Sequence, residues 1–244
     1  MPIDTSTPIP IYYQIKQEIL ERINKGDLKP GDRIESEEKL AKRYEISRMT
    51  ARHAVTQLVT DGQLYRVHGK GTFVCKPRVE KSVATLTSFA DDMKKKGYET
   101  HSDVISMTKM YPDEDVQEIL NLKAEEEVFC LVRVRYANKE AMSYQKSYLP
   151  VKMFPNLDHH DFINHGLYET ASKEYGIDPI QAKQRMEART TSGAIAKHLQ
   201  LDEGSPIFFV ERITYSDNNR PMELAYSWHR GDKYIFEMKL YRES

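Results

Sequence analysis

The sequence predicts an α+β fold in two parts: three helices with a β-hairpin, then an antiparallel sheet with helices on one side. Apolar residues recur at helical spacing in segments between residues 10 and 62, and a short alternating stretch with two glycines follows at 65–74. Strand-like runs joined by short turns then dominate the second half. The 244 residues suit one unit of about 75 residues and another of about 165, each able to bury a core.

The helices of the first part can be placed from their starts and apolar faces. Pro10 suits the first turn of the opening helix, and Ser36 begins the second. Ser47 caps the third, because its hydroxyl can accept a hydrogen bond from the amide of Thr50. An apolar stripe at residues 51–59 faces inward. The residues predicted to face outward from this third helix are Arg48, Met49, Arg52, His53 and Thr56.

Two helices joined by a tight turn are typical of proteins that place the second helix in the major groove of DNA. Arginine can donate to O6 and N7 of guanine, and threonine can reach a phosphate or a thymine methyl. The hairpin at 65–74 has a small basic tip that suits the phosphate backbone or the minor groove. The alternatives are a solvated helix face and an ordinary hairpin turn. Because the hairpin directly follows the two helices, a winged helix-turn-helix is favoured. The candidate DNA-binding residues are Ser36, Ser47, Arg48, Thr50, Arg52, His53, His68, Gly69, Lys70 and Gly71.

The charge distribution agrees with double-stranded DNA as a partner of the protein. Residues 1–78 carry 14 Lys and Arg against 10 Asp and Glu, a net charge of +4, whereas the remainder carries a net −5. A basic unit is attracted to the phosphate backbone and an acidic one is repelled. No apolar run approaches the ~20 residues of a membrane-spanning helix, so we expect a cytoplasmic protein without a membrane partner.

The second half contains the elements of an antiparallel sheet. Strands are predicted at 128–136, 142–149, 207–215 and 222–229, with hairpin turns near residues 137–140 and 216–220. Helices are predicted at 89–96, 113–120, 167–175 and 192–199, the last capped by Ser192. The domain boundaries that follow are 1–76 for the winged helix-turn-helix, 77–84 for a linker, and 85–244 for an effector-binding and dimerisation domain.

Five motifs in order make residues 8–76 resemble the GntR superfamily of bacterial transcription regulators. They lie at 8–15, 28–32, 36–41, 46–50 and 69–74. Two positions depart from the family pattern: Glu35 stands where many relatives carry Pro, and Glu38 where several carry Arg. We therefore expect an operator that differs from those of such relatives.

Residues 84–242 resemble the UTRA effector domain, which has a chorismate-lyase-like fold and marks the HutC branch of that superfamily. The likeness rests on the segments 86–93, 133–135 and 223–234. Within the branch, the chain resembles regulators of amino-sugar utilisation, whose effectors are amino-sugar phosphates. The resemblance implies a ligand between the helix start at Ser88 and Phe89 and the strand that carries Arg133 and Arg135.

The chemistry of these positions suits a phosphorylated sugar. Thr87 and Ser88 open a helix whose free amides attract an anion. Arg133 and Arg135 are two residues apart on a strand and therefore share a face. A helix cap and a solvated sheet face are the alternatives. Glu223 can accept hydrogen bonds from sugar hydroxyls. The candidate effector-binding residues are Thr87, Ser88, Phe89, Arg133, Arg135, Gln145, Glu223, Ser227 and His229.

Two of these residues depart from the amino-sugar regulators where the sugar would be recognised. We expect Glu in those regulators where this chain has Gln145, and Tyr where it has His229. An amide and a carboxylate pair with different groups, and a buried polar group without its partner rejects a ligand strongly. The phosphate end is thus retained while the sugar end is altered, so that another phosphorylated sugar is as good a candidate as an amino-sugar 6-phosphate.

These observations predict a homodimeric repressor that binds a palindromic operator and is released by a phosphorylated sugar. An activator of the same architecture and a sugar-phosphate-processing enzyme on the chorismate-lyase-like fold are the alternatives. No nucleophile elbow, zinc-ligand spacing or glycine-rich phosphate loop favours an enzyme or a cofactor. His159 and His160 with their flanking aspartates lie in a polar loop where neighbouring side chains point apart, so we predict no metal site.

Overall fold

A computed structural model describes residues 7–67, 69–75, 78–240 and 242 of the chain. The chain divides into two compact units, Met1–Pro77 and Arg78–Ser244. The predicted tip residue His68 lies outside the described residues. Among the described residues, no helix is long and apolar enough to cross a membrane.

The first unit is the predicted winged helix-turn-helix. Its helices are α1 (Ile11–Asn24), α2 (Glu37–Arg43) and α3 (Arg48–Thr60). Strands β1 (Leu64–Val67) and β2 (Gly71–Val74) form an antiparallel hairpin. The apolar stripes of the three helices meet the hairpin in one core, because each element has only one apolar face to bury. This core includes Ile15, Ile19, Leu40, Ala51, Ala54, Val55, Leu58, Leu64 and Val74.

The second unit is built on a six-stranded antiparallel sheet in the order β4-β5-β6-β9-β8-β7. Its central strands match the four predicted ones to within one or two residues at each end. Asn138 and Lys139 adopt positive φ in the β5–β6 turn, as a tight hairpin requires. The strands are β4 (Thr100–Met110), β5 (Val128–Ala137), β6 (Glu140–Pro150), β7 (Gln181–Thr190), β8 (Pro206–Tyr215) and β9 (Pro221–Arg230).

Helices cover both faces of this sheet, which corrects the expectation that they lie on one side. The helices are α4 (Phe89–Lys95), α5 (Glu114–Leu120), α6 (Leu167–Tyr175) and α7 (Gly193–Leu199). The sequence of β5 is apolar at successive positions, so both of its faces need cover. Phe129 and Leu131 pack in the cluster that includes α6, whereas Val128 and Val132 pack in the cluster that includes α5.

Two further predictions need correction. Part of the predicted linker is a strand, β3 (Val79–Ser82), which pairs in parallel with β10 (Tyr234–Glu237). Residues 79 and 81 of β3 are buried, and this alternation over only four residues is too short to stand out in a polar segment. Ser192 precedes α7, but its side chain makes no capping hydrogen bond, and the amide of Gly193 donates to the carboxylate of Glu203 at 3.2 Å.

Candidate DNA-binding surface and effector cavity

The start of α3 is held by the predicted cap. Ser47 Oγ accepts from the amide of Thr50 at 3.1 Å, and the two hydroxyls lie 2.8 Å apart. Ser36 caps α2 in the same way, accepting from the amide of Lys39 at 3.3 Å. These serines therefore set the direction of both helices, and their hydroxyls already have partners within the chain.

Burial of one face of α3 leaves the predicted basic face in solvent. Arg48 and Arg52 are exposed, and Met49 between them keeps 71% of its surface accessible. In the part of the chain that the structure describes, neither arginine forms a salt bridge. His53 is exposed but stacks on the ring of Tyr12, with the ring centroids 4.2 Å apart. The outer face of α3 thus presents guanidinium groups that have no ion-pair partner among the described residues, while His53 also joins α3 to α1.

Two arginines that the sequence analysis missed pack against the wing or join it to the helices. Arg66 of β1 donates to Glu37 Oε1 at 3.0 Å and to Thr56 Oγ1 at 2.9 Å, so the Thr56 hydroxyl is engaged within the protein. Gly71 has a φ of +125°, and a Cβ there would lie 2.6 Å from Nε of Arg33. The two arginines thus pack the wing closely, and the exposed residues Gly69 and Lys70 form its tip.

The two family departures differ in their surroundings. Glu35 accepts from Nη1 of Arg43 at 2.7 Å and lies 3.8 Å from Arg22. Its charge is therefore balanced within the first unit. Glu38 lies in the first turn of α2 and is exposed, so it presents a negative charge to solvent.

In the second unit, one cavity brings together all nine predicted effector residues on one face of the sheet. The strand register explains this grouping. Arg133 of β5 is paired with Gln145 of β6, which is paired with Ser227 of β9; one row away, Arg135 is aligned with Ser143 and His229. The cavity is also lined by Lys81, Ala90, Ser143, Gly166, Leu167, Tyr168, Arg212 and Ala225, which the sequence analysis did not identify.

Arg133 is the most unusual residue of the cavity. It is 0% exposed, and none of its three guanidinium nitrogens has a hydrogen-bond partner among the described residues. Its guanidinium lies 5.7 Å from the centroid of the Phe162 ring. Burial, and secondarily the charge of Arg135, hold the pKa of Arg133 well below its ordinary value. A buried guanidinium without hydrogen bonds is costly, so this site favours an anion that would bind it.

Arg135 is better satisfied than its neighbour. Its Nη1 donates to Ser102 Oγ at 2.8 Å, and its Nε donates to Gln145 Oε1 at 3.3 Å. The guanidinium also lies 5.9 Å from the ring centroid of Phe89 at the start of α4. Burial lowers the pKa of Arg135 to about 10, so the group remains charged at neutral pH.

Glu223 is buried at the centre of a set of hydroxyl groups. Its Oε1 accepts from Ser147 at 2.7 Å, and its Oε2 accepts from Tyr168 at 2.9 Å and from Thr214 at 3.4 Å. Burial and the charge of Glu223 raise the pKa of Tyr168, which keeps that phenol protonated. A sugar hydroxyl would have to share or replace one of these donors to reach the carboxylate.

The start of α4 lies at the cavity, but its hydroxyls are engaged. Thr87 Oγ1 donates to Asp92, and Ser88 Oγ donates to Asp91 Oδ2 at 2.6 Å while accepting from the amide of Asp91 at 3.1 Å. Ser88 therefore caps its helix, which was the alternative to anion binding. The buried arginines, rather than these hydroxyls, are the stronger anion-binding feature.

Lys81, Arg212 and His229 complete the polar lining. Lys81 Nζ lies 3.7 Å from Asp92 Oδ2, and burial, with the charge of Arg212, lowers its pKa to about 8. Arg212 donates twice to Gln184 Oε1, at 3.0 and 2.9 Å. Burial and these two cations hold the pKa of His229 well below its ordinary value, so His229 is neutral.

In the segment of the histidine pair at 159–160, His160 and Asp161 have local partners instead. His160 Nε2 lies 3.0 Å from the hydroxyl of Tyr175, and Asp161 accepts from the amides of Ile163 and Asn164. Among the residues that the structure describes, no group of three His, Cys, Asp or Glu is placed to hold a metal ion.

Comparison with known proteins agrees with both halves of this description. The family model described as "Bacterial regulatory proteins, gntR family" matches residues 11–74, and the UTRA domain model matches residues 95–235. The chain is 35% identical, over 97% of both chains, to the "HTH-type transcriptional repressor NagR" of Bacillus subtilis. It is 28% identical, over 91% of both, to the "Probable fructoselysine utilization operon transcriptional repressor" of Escherichia coli.

The fold has a solved counterpart as well. PhnF from Mycobacterium smegmatis superimposes with a TM-score of 0.68 over 94% of this chain and all of the other, at 23% identity. These findings confirm the predicted two-part fold and family resemblance. Because the relatives are repressors of transcription, they also confirm a DNA-binding regulator over an enzyme.

Proposed function

Because the chain belongs to the GntR family of bacterial regulatory proteins and carries a UTRA domain, we propose that it represses a carbohydrate-utilisation operon until a phosphorylated sugar binds. The relatives support the carbohydrate link, since one of them is named for fructoselysine utilisation. The protein acts on double-stranded operator DNA in the cytoplasm, through the exposed face of α3 and the wing.

The observation that carries the sugar-phosphate proposal is the unpaired, fully buried guanidinium of Arg133. A phosphate oxygen can accept from it and from Arg135, the neighbouring cation on the same face of β5. The anion replaces hydration that the guanidinium lost on folding, so binding relieves a cost that the free protein bears. A neutral sugar gains none of this, so the phosphate is the anchoring group.

The sugar portion lies toward Gln145, Ser227 and Glu223. The Oε1 atom of Gln145 already accepts from Arg135, which leaves the amide nitrogen to donate to the ligand. A carboxylate at this position would instead accept. This difference favours a sugar that presents an acceptor here, such as a hydroxyl or an acetamido oxygen, so among amino-sugar 6-phosphates and related sugar phosphates we infer one without a free ammonium group at this position.

Operator recognition uses two copies of the first unit. A homodimer presents two α3 helices to the two halves of a palindromic operator, as two-fold symmetry requires. Arg48 and Arg52 contact base edges and phosphates, and the tip at Gly69 and Lys70 contacts the backbone. Effector and operator favour different arrangements of the protein, so each lowers the affinity for the other.

A thermal-shift panel tests the effector class. We expect at least one sugar phosphate, such as N-acetylglucosamine 6-phosphate, to raise the melting temperature by several degrees, because a ligand that binds only the native state stabilises it. The matched unphosphorylated sugar should give no shift. The same sugar phosphate should release a DNA duplex selected from random sequence by the protein. No response to any phosphorylated sugar, or equal shifts with and without phosphate, would contradict the proposal.

A further inference from the structure

The cavity has a second cationic end that a single phosphate does not use. Arg212 lines the cavity from β8, whereas Arg133 and Arg135 line it from β5. Strands β6 and β9 lie between β5 and β8. Three inter-strand spacings place the two strands roughly 14 Å apart at the backbone. The arginines therefore approach a ligand from opposite sides.

Arg212 has a neutral partner where a charged one is expected. Both of its hydrogen bonds go to the amide oxygen of Gln184. In the described part of the chain it forms no ion pair with a carboxylate. Glu223, the only carboxylate among the residues that line the described cavity, accepts from three hydroxyl groups instead. The guanidinium of Arg212 thus keeps donors for a further anion.

Lys81 lies at the same end of the cavity. It is 9% exposed, and its partner in the β3–β10 pairing is Phe236, whose ring centroid lies 5.0 Å from that of Phe208 on β8, the strand of Arg212. The Phe236 ring also lies 5.6 Å from that of His229, which lines the cavity. Lys81 and Arg212 therefore line the cavity from its β8–β9 side, and the ion-pair partner of Lys81 among the described residues is Asp92, at 3.7 Å.

We propose that Arg212 and Lys81 form a second anion subsite, and that the ligand is a phosphorylated sugar that also carries a carboxylate. This inference rests on the proposed function and names the chemical class of the effector. Arg133 and Arg135 hold the phosphate, the sugar crosses β6 and β9, and the carboxylate pairs with Arg212, whose planar fork matches it.

The charge count favours a carboxylate over a second phosphate. Four cations line the cavity, and Glu223 and Asp92 offset two of them, which leaves a surplus of two positive charges. A phosphate monoester carries a charge of about −1.5 to −2 and balances this surplus. When it is bound by the arginines of β5, however, Arg212 is left without an anionic partner. Adding a carboxylate exceeds the surplus by about one charge, whereas a bisphosphate exceeds it by about two.

Two probes that differ in one group test the subsite on the full-length protein. 6-Phosphogluconate and sorbitol 6-phosphate are open-chain six-carbon phosphates that differ at C1. The first has a carboxylate there, and the second has a hydroxymethyl group. By isothermal titration calorimetry we expect 6-phosphogluconate to bind at least about tenfold tighter, as an added hydrogen-bonded ion pair predicts. Arg212→Gln should reduce this ratio to near one while it leaves the affinity for sorbitol 6-phosphate within about twofold.

Lys81→Met provides an independent second variant, since it keeps the apolar stem and removes only the charge. It should also reduce the ratio. Arg185→Gln is the matched control, because Arg185 is exposed on β7 and does not line the cavity; its ratio should equal that of the wild type. An undiminished ratio in both cavity variants, or equal affinities for the two probes in the wild type, would overturn the second subsite. Failure of every phosphorylated probe to bind would reject the proposed function as well.

Discussion

Two pairs of arginines in this protein occupy opposite environments. Arg48 and Arg52 stand in solvent on α3, whereas in the effector cavity Arg133 is fully buried and Arg135 is partly buried. An exposed guanidinium keeps its hydration and costs little, so affinity for DNA comes from many weak, salt-dependent contacts. A buried guanidinium without partners costs several kcal/mol, so a small anion can gain much from few contacts. Burial thus decides which kind of anion the same side chain recognises.

The largest effect is expected from Arg133→Met, which keeps a similar side-chain volume and removes the buried charge. Affinity for the effector should fall at least about 100-fold, because two charge-assisted hydrogen bonds are lost. The melting temperature of the ligand-free protein should rise by about 3 °C or more, because the desolvation cost disappears. Calorimetric ligand titration and thermal melting measure the two changes.

Arg185→Met is the control for this variant, since it removes an exposed arginine from the edge strand β7. It should leave the effector affinity unchanged. A ligand-free Arg133→Met protein that melts below the wild type would show that the guanidinium is stabilised in the native state, against the contrast drawn here.

The contrast itself could be predicted only in part from the sequence. The stripe at residues 51–59 predicted which face of α3 is exposed, because helical periodicity is local information. Their alternation on the strand predicted that Arg133 and Arg135 share a face, and the resemblance to the UTRA domain implied that this face meets a ligand. The depth at which Arg133 is buried could not be predicted, because it depends on β9 and on Phe162, which are distant in sequence.

Other parts were missed for the same physical reason. Strand β7 (Gln181–Thr190) is a largely exposed edge without apolar alternation, so nothing local indicates a strand. Lys81 lies in a segment that was expected to be a linker, and it becomes a cavity residue only because β3 pairs with β10. Arg212 stands opposite Arg133 because β8 follows β9 in the sheet, an order that no local pattern specifies.

The exposed pair is tested by Arg48→Ala. We expect operator affinity to fall by about 10- to 100-fold and base preference to relax at one position of each half-site, as loss of a guanine contact predicts. The effector-induced thermal shift should stay unchanged. Lys25→Ala removes an equal charge at the end of α1 and should change operator affinity little. Equal losses in the two variants would mean that α3 makes no specific contact.

A smaller effect is expected from pH, through Lys81. Its lowered pKa of about 8 means that it is cationic below pH 8 and neutral above. Affinity for a carboxylated sugar phosphate should therefore fall by up to about tenfold between pH 7 and 9, since the phosphate is already a dianion there. Of the groups around Lys81, Arg135 has a pKa of about 10 and stays mostly charged over this range, and His229 stays neutral; the charged groups Asp92 and Arg212 also face Lys81. Lys81→Met should give a flat profile; a wild-type slope in that variant would point to another group.

The smallest effect is expected from Gly71→Ala in the wing. A side chain at a φ of +125° is strained, and its Cβ would meet Arg33. We expect a displaced wing and a loss of operator affinity of about threefold, on the order of 0.7 kcal/mol. Gly97→Ala is a control at another positive φ, after α4, where nothing lies within 4 Å of the added Cβ. An operator affinity equal to that of the wild type would show that the wing tip adds nothing to DNA binding.

The most direct test of the account is release of a fluorescent operator duplex, followed by anisotropy as a phosphorylated sugar is added. The wild type should bind the duplex and release it, whereas Arg133→Met should bind with the same affinity and remain bound at the effector concentrations that release the wild type. This result would assign the exposed arginines to DNA and the buried ones to the effector. Release of the duplex from Arg133→Met at the wild-type effector concentration would contradict that division.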